Sequence, residues 1–598
     1  MVWQGGRLYE QREVERKTAV VIVGTFIFLI ILILRLFYLQ VVQGKYYTAI
    51  SESNRTEIFF QRASRGVIYD ANQEVLVDHR PTFVVLFSPL KVSPEVFSNV
   101  LKTLEKILSL PVHAIEKMVG GENKRSVVLR IADEISRSAL FRILEARPNL
   151  PGVTITIEPT RRYPYKDWAS HLIGYLGEIN PAELAERLND GYKQGNIVGK
   201  NGIEKVYDYY LRGKSGGMQL EVDATGRSQR ILYNIPSIPG NDLYINIDLH
   251  VQQAAENMFK KQGFSGAAVA VDPGSGKVLA LVSSPNFDPN IFLKPLDSDT
   301  REYLFLSETK PLFNRALQGQ YALGSVFKII TMAAALESGS ELTHQTLLCK
   351  GMFKLGRREF GCWEKKGHGK VDLLKAITHS CDVYFYQLGL SAGLERIVET
   401  SRQFGLGSLS GIDLPEEKQG LLPDANWKKK FRREIWYDGD TVNLSIGQGF
   451  LLVTPLQVAC FMGAVASRGK LFRPYIFDRI VDPQGSVILS NTPHLIRQIH
   501  LKPETWDTLH QGLINVIENG TGRACRIRGL EVAGKTGTAE NPHGEDHAWF
   551  AAYAALPGEK SRIAVVVLVE HGEHGASAAA PIAREMIKAA FPELDNAG

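Results

Sequence analysis

The chain opens on one long apolar run. From Thr18 to Leu34 there are 17 consecutive uncharged, mostly apolar residues, followed by Arg35 and then Leu36-Phe37-Tyr38-Leu39. That length crosses a bilayer, with Arg35 and Tyr38 placed to reach the interface. A cleaved signal peptide has a shorter apolar region and ends in small residues, whereas Leu-Phe-Tyr-Leu-Gln follows here, so the pattern predicts a retained anchor. Beyond it, short β-type runs alternate with polar helical stretches. Arg65 to Asp70 predicts a strand entering a turn and Phe83 to Phe87 a strand, while helical spacing covers about 94–120 and 133–147. A proline- and glycine-rich junction, Ile235-Pro236-Ser237-Ile238-Pro239-Gly240-Asn241, marks a boundary. After it come a strand at 243–247, a helix at 249–263, and a hairpin pairing 267–271 with 278–282 around Asp272-Pro273-Gly274-Ser275-Gly276. Two more strands, at 548–555 and 563–570, precede a helix at 578–591. Strands at both ends with helices between predict an α+β domain, an antiparallel sheet flanked by helices plus a helical lobe.

The expected organisation is therefore residues 1–17 as a tail, 18–40 as a transmembrane anchor, 41–235 as an elongated non-catalytic pedestal and 236–598 as a second domain. No nucleophile–base pairing or metal spacing stands out between 41 and 235. Arg7, Arg12, Arg16 and Lys17 precede the span, and Arg35, Lys45 and Arg55 follow it, a slight positive-inside bias. Composition adds little: 44% apolar and 22% charged residues describe a globular protein. A net charge of +5 over 598 residues, without basic runs interleaved with aromatics, argues against nucleic acid as a partner.

Candidate chemistry lies in the second domain. Tyr321-Ala322-Leu323-Gly324-Ser325-Val326-Phe327-Lys328 runs on into Ile329-Ile330-Thr331-Met332-Ala333-Ala334-Ala335, apolar on all sides and thus a buried helix. Ser325 and Lys328 stand one turn apart on one face. An ammonium buried without a partner is costly, so Lys328 is expected to lose its proton more easily than in water and to serve Ser325 as a base. Gly324 leaves the helix entrance bare, and free N–H groups there suit an oxyanion. Ser380-Cys381-Asp382 offers a second hydroxyl and a carboxylate, or only a helix cap. Lys535-Thr536-Gly537-Thr538 lies in a β-type run where Gly537 admits a substrate backbone, or forms only a surface turn.

Ser-x-x-Lys, Ser-x-Asp and Lys-Thr-Gly in that order resemble the active-site set of the penicillin-recognising serine enzymes. The second domain resembles the transpeptidase domain of class B penicillin-binding proteins. Asn314-Arg315-Ala316, Ser445-Ile446-Gly447-Gln448-Gly449 and Thr454-Pro455-Leu456-Gln457 match further stretches of that class. So do Arg65-Gly66 with Asp70, Arg162-Tyr163-Pro164 and Gly202-Ile203-Glu204 in the pedestal. Asp382, where many members have asparagine, and the stretch Asn541 to Phe550 resemble the elongation-type branch, penicillin-binding protein 2. Leu323 departs from the family, which usually has proline there.

The resemblance implies a peptidoglycan D,D-transpeptidase of cell elongation and rod-shape maintenance, anchored in the bacterial cytoplasmic membrane with its N-terminus inside and its catalytic domain outside. Ser325 is expected to attack the bond between the last two D-alanines of a stem peptide. Lys328 takes its proton, and Ser380 and Lys535, beside Asp382, relay it. The N–H groups of Ser325 and Thr538 hold the oxyanion. Thr536 and Thr538 hold the terminal carboxylate beside Gly537. β-Lactams are expected to acylate Ser325. No cofactor is required for the acyl transfer. With no glycosyltransferase domain before Gly240, the implied partners are a SEDS-family membrane glycosyltransferase and cell-shape scaffold proteins. A scaffold that activates that glycosyltransferase is the alternative. A β-lactamase or D,D-carboxypeptidase, each sending the acyl group to water, is a further alternative; the missing deacylation glutamate signature and the large first region argue against the lactamase.

Of five cysteines, three fall between Cys349 and Cys381. Cys349, Cys362, His368 and Cys381 make a ligand set that suits tetrahedral structural zinc. His368 lies between two glycines in an expected loop, and Cys381 stands inside the Ser-x-Asp motif, where a metal braces the active-site segment. A disulfide between two of the thiols, or three buried small hydrophobes as expected for Cys460, are the competing readings.

Overall fold

The structure is a computed structural model, and it describes residues 4–47, 56–89, 92–120, 129–187, 190–222, 228–541 and 544–597. The chain forms two compact units. One gathers 1–63, 81–159 and 214–238; the other gathers 64–80, 160–213 and 239–598. The units do not follow a single sequential boundary at residue 235. Burial explains why: the segments 64–80 and 160–213 carry charged groups whose partners lie within the second unit.

In the first unit, helix α1 (Gln4–Phe37) continues through a π-helical turn at Tyr38–Val42. From Val20 to Leu34 its apolar side chains stand exposed in the isolated chain, and Arg16–Val42 is long and apolar enough to cross a membrane. Strands Thr56–Gln61, Gly216–Val222 and Ser228–Ile235 form an antiparallel three-stranded sheet. A separate small core is built by Val85, Phe87, Val100, Leu101, Leu104, Ile115 and Ile143. Val100, Leu101 and Leu104 line one face of the helix Pro94–Leu108. The single helix expected over 94–120 is two, because Ser109 turns left-handed at φ 56 and Pro111 cannot continue the first.

In the second unit the first-region motifs are structural. Glu204, fully buried, accepts from Arg65 Nε at 2.6 Å and Arg161 Nε at 2.8 Å. Asp208 pairs with Arg65 Nη2 at 2.7 Å. Asp70 accepts from the N–H groups of Asn72 and Glu74 and caps the turn. A Cβ on Gly66 would lie 1.8 Å from the Asn241 carbonyl oxygen, so only glycine fits.

Five antiparallel strands carry the second unit's main sheet: β1 (Gly266–Val271), β2 (Val278–Ser284), β3 (Glu531–Ala539), β4 (His547–Ala555) and β5 (Ile563–Val569), in the order β2-β1-β5-β4-β3. Both faces are covered, which is why β1, β4 and β5 read as mostly apolar runs instead of alternating ones, whereas β3 carries Lys535, Thr536 and Thr538. Ala268, Ala270, Val565 and Val567 pack against α2 (Leu249–Gln262) and α9 (Ala579–Ala589). Ala267, Val269, Val566 and Leu568 join the larger core on the opposite face. That core is built on α3 (Lys328–Ser338), α4 (Asp382–Ala392), α6 (Asp438–Ser445), α7 (Pro455–Ala466) and α8 (Pro503–Glu518), while the short α5 (Ala425–Phe431), between α4 and α6 in the chain, buries only Lys428. β3 is an edge strand, and the turn bearing Ser325 packs against it.

Candidate active site

Ser325 stands in a 3₁₀ turn, Gly324–Phe327, which continues into α3. The tighter turn replaces the uninterrupted helix expected there, and Gly324 permits it. Its φ is +58, and a Cβ would lie 2.3 Å from the Thr538 carbonyl oxygen of β3. Gly324 N–H donates to the Gly447 carbonyl at 2.9 Å, and a Cβ on Gly447 would lie 2.2 Å from the Gly324 carbonyl oxygen. Glycine on both sides lets two backbones close on the nucleophile's turn. The same turn is pinned by Trp549 Nε1–H donating to the Ala322 carbonyl at 2.9 Å. Tyr321 donates to Glu570 at 2.7 Å, and Glu570 also receives Arg315 at 2.9 Å.

Lys328 is fully buried and is not alone. Its Nζ donates to Asp382 Oδ1 at 2.6 Å, to the Ser380 carbonyl at 2.9 Å and to Ser380 Oγ at 3.1 Å. The expectation of an unpartnered ammonium is corrected here. A carboxylate brought in by α4 compensates the charge, and three acceptors occupy its three hydrogens. The other carboxylate oxygen accepts from the Trp363 N–H at 2.9 Å, and Trp363 Nε1–H reaches the Ser380 carbonyl at 3.1 Å. Ser380 holds φ +56, an uncommon conformation for serine, stabilised by these bonds to its carbonyl.

Lys535, in β3, is the lysine driven towards neutrality. It is fully buried, and burial together with the positive charge of Lys328 pushes it well below the usual 10.5, only partly opposed by Asp382. Its amine donates to the Thr536 carbonyl at 3.0 Å. Two buried amines thus share one carboxylate, and the cluster favours one full positive charge. Thr536 Oγ1 bonds Thr521 Oγ1 at 2.6 Å, and Gln448 Nε2 donates to the Thr538 carbonyl at 3.3 Å. A Cβ at Gly537 would come 3.0 Å from Trp549 Cβ and 3.1 Å from a Val326 methyl, so the strand lies close against the nucleophile's turn. Trp363 and Thr521 escaped the sequence reading. Trp363 had a signal, since it directly follows Cys362.

Cys349, Cys362, His368 and Cys381 also converge. Their ligand atoms all lie within 4.8 Å of one another. His368 Nδ1 stands 3.8 Å from Cys349 Sγ and 3.5 Å from Cys362 Sγ. All five cysteines are free thiols. A hydrogen bond from the Cys381 thiol draws Cys362 down to about 5, while Cys381 is raised in turn. Cys381 is the residue immediately before α4, so the cluster sits directly behind Ser380 and Asp382. Of the stretch Asn541 to Phe550, Pro542 and His543 lie outside the described residues.

Comparison with known proteins agrees with this geometry. Residues 266–588 match the family model described as the penicillin-binding protein transpeptidase domain, and residues 60–245 that of the penicillin-binding protein dimerisation domain. The "Peptidoglycan D,D-transpeptidase MrdA" of Acinetobacter baumannii is 34% identical over 570 residues, covering 92% of this chain and 84% of that protein. The chain belongs to the class B penicillin-binding proteins. Within the family it is an elongation-type, serine peptidoglycan D,D-transpeptidase. A solved penicillin-binding protein 2 of Helicobacter pylori, in complex with MreC, superposes with a TM-score of 0.77 at 29% identity, covering 90% of this chain and 99% of that one. A structure titled "Structural coordination of polymerization and crosslinking by a peptidoglycan synthase complex" superposes with a TM-score of 0.71 at 27% identity, covering 96% and 98% of the two chains. The transpeptidase domain of this family is thus the second unit's sheet and helical lobe.

Proposed function

We propose that Ser325 is the nucleophile that opens the terminal D-alanyl–D-alanine bond, and that Lys328, Ser380 and Lys535 form its proton relay. The observation that carries this reading is the buried hydrogen-bonded group of Lys328, Ser380 and Asp382 beside a second buried amine that burial drives towards neutrality. In the relay, Ser380 Oγ gives its proton to the neutral Lys535 amine and takes one from Lys328. Lys328, held in place by Asp382, then receives the Ser325 proton as Ser325 Oγ bonds to the carbonyl carbon. The departing D-alanine amine takes that proton back, and the amine of a neighbouring stem peptide resolves the ester to leave a cross-link. The N–H groups of Ser325 and Thr538 hold the oxyanion, where one such donor is worth about 3 kcal/mol. Thr536 and Thr538 bind the donor carboxylate, and the open edge of β3 pairs with the peptide as an added strand. Fluorescent penicillin should label the full chain in detergent and fail to label Ser325→Ala of equal folded content. Labelling of that variant, or none of the folded wild type, overturns the assignment.

The cysteine cluster fits a zinc ion. A tetrahedron with Zn–S of about 2.3 Å and Zn–N of about 2.0–2.1 Å has edges of about 3.8 Å between sulfurs and about 3.5 Å between sulfur and nitrogen. The 3.5 Å from Cys362 Sγ to His368 Nδ1 equals the sulfur–nitrogen edge, the 3.8 Å from Cys349 Sγ is slightly longer, and all four donor atoms lie within 4.8 Å, so a small contraction of the cluster gives the tetrahedron. When bound, the ion supplies a structural tie holding Trp363 and the Ser380–Asp382 turn in place. About one zinc per chain, lost with thermal stability in Cys349→Ser, supports this; a zinc-free chain of full stability refutes it. We read the span as an anchor that leaves the catalytic domain on the outer side of the cytoplasmic membrane, where stem peptides lie, a reading supported by the apolar length of Arg16–Val42. The likeness to the MreC complex and to the synthase complex supports a cell-shape scaffold and a membrane glycosyltransferase as partners, and our reading has them dock on residues 41–235.

A further inference from the structure

A basic and aromatic ridge stands beside the site, and none of the roles above uses it. It is formed by α5 and the turn leading to α6, with the sequence Trp427-Lys428-Lys429-Lys430-Phe431-Arg432-Arg433-Glu434-Ile435-Trp436-Tyr437. Lys428 is its internal anchor, buried, with Nζ 2.6 Å from Asp440 Oδ2 and 3.4 Å from Glu434 Oε2. Those contacts engage the segment's glutamate and the nearby aspartate. Lys429, Lys430, Arg432 and Arg433 are exposed, and none pairs with a carboxylate among the described residues.

The aromatic side chains are as unusual. Phe431 is 64% exposed and Tyr437 56% exposed. Lys430 lies 5.2 Å from the Phe431 ring centre, and Arg432 lies 5.3 Å from that of Phe450. Large rings held in water beside unpaired cations are costly to display and mark interaction surfaces. The ridge is also tied to the catalytic turn. Trp427 and Phe450 rings pack at 5.2 Å, and Phe450 follows three residues after Gly447, whose carbonyl receives the Gly324 N–H.

We propose that this ridge binds a peptidoglycan strand outside the serine cleft, its cations pairing with stem-peptide carboxylates and its exposed rings lying on the sugars. The choice of occupant rests on the transpeptidase reading and on charge. The substrate of that reaction is a polymer with a carboxylate-bearing peptide at regular intervals, and the second strand must come within reach of the acyl-enzyme. An unpaired fourfold positive surface beside the nucleophile's turn is complementary to it. Exposed cations of this kind govern encounter and register more than tight affinity.

The test uses the full chain in detergent, blocked at Ser325 with benzylpenicillin, and sonicated cell-wall fragments as the probe in a sedimentation assay. The triple variant K429E/K430E/R433E is expected to bind the fragments about tenfold more weakly, while its rate of acylation by fluorescent penicillin stays that of the wild type. The neutral variant K429Q/K430Q/R433Q should fall between, with a shallower salt dependence, and covers misfolding of the reversed one. Equal fragment binding by wild type and both variants overturns the proposal. So does loss of binding to phosphatidylglycerol vesicles with fragment binding intact, which makes the ridge a lipid surface. Failure of penicillin to acylate the wild type strikes the catalytic reading alone, since fragment binding is scored separately.

Discussion

Asp382→Ala isolates what the carboxylate does for Lys328. The lysine amine is fully buried, the Asp382 side chain is 10% exposed and the two are 2.6 Å apart. At an effective dielectric constant of 20 their attraction is about 6 kcal/mol, much of it offset by removing both charges from water. The measurable quantity is therefore the cost of breaking the pair. Leaving one buried charge uncompensated costs about 3–5 kcal/mol, whereas losing a hydrogen bond to a neutral amine costs about 1 kcal/mol. With about 2 cal/mol/K of unfolding entropy per residue, a unit of roughly 430 residues loses about 1 °C per kcal/mol. Thermal melts followed by tryptophan fluorescence at one scan rate should thus show Asp382→Ala melting about 3–5 °C below wild type. The double variant K328M/D382L, which removes both charges, should recover most of that loss, giving a coupling of about 3 kcal/mol. If the two sites instead prove additive, or Asp382→Ala melts with the wild type, Lys328 is not a buried ammonium held by this carboxylate.

Three further outcomes follow from the same structure. Lys535 titrates lower folded than unfolded, so between those two values the unfolded chain binds more protons and stability rises with pH. Lys535→Met should be inactive yet more stable than wild type near pH 7, with the gap closing as pH approaches 10.5, the ordinary lysine value; a gap constant with pH contradicts the shift. Gly324→Ala carries left-handed strain of about 1–2 kcal/mol and puts a Cβ 2.3 Å from the Thr538 carbonyl oxygen. Displacing β3 or the serine turn should slow penicillin acylation about 100-fold in a chain that remains folded, and a wild-type rate refutes the close approach. Glu204→Ala takes the carboxylate from buried Arg161 and leaves Arg65 with Asp208 alone, and should cost about 3–5 kcal/mol in urea unfolding, with no loss if the cluster is solvated.

Local pattern was enough for the membrane span, the hairpin of β1 and β2, the two C-terminal strands and the short motifs around Ser325, Ser380 and Lys535. Each is written in consecutive residues, because apolar periodicity and side-chain chemistry act over one turn or one strand. What depended on the tertiary structure was charge. Lys328 looks unpartnered along its own helix, and Asp382 reaches it from the start of another; the push of Lys535 towards neutrality comes from burial beside Lys328, not from either motif. The same holds for Arg65 and Arg161, far apart in the chain, which close together on the buried Glu204. Cys349, Cys362, His368 and Cys381 meet only when the strands and turns between residues 347 and 382 fold back on one another. Desolvation and Coulomb attraction depend on distance in space and on what excludes water, and neither quantity is carried by spacing along the chain.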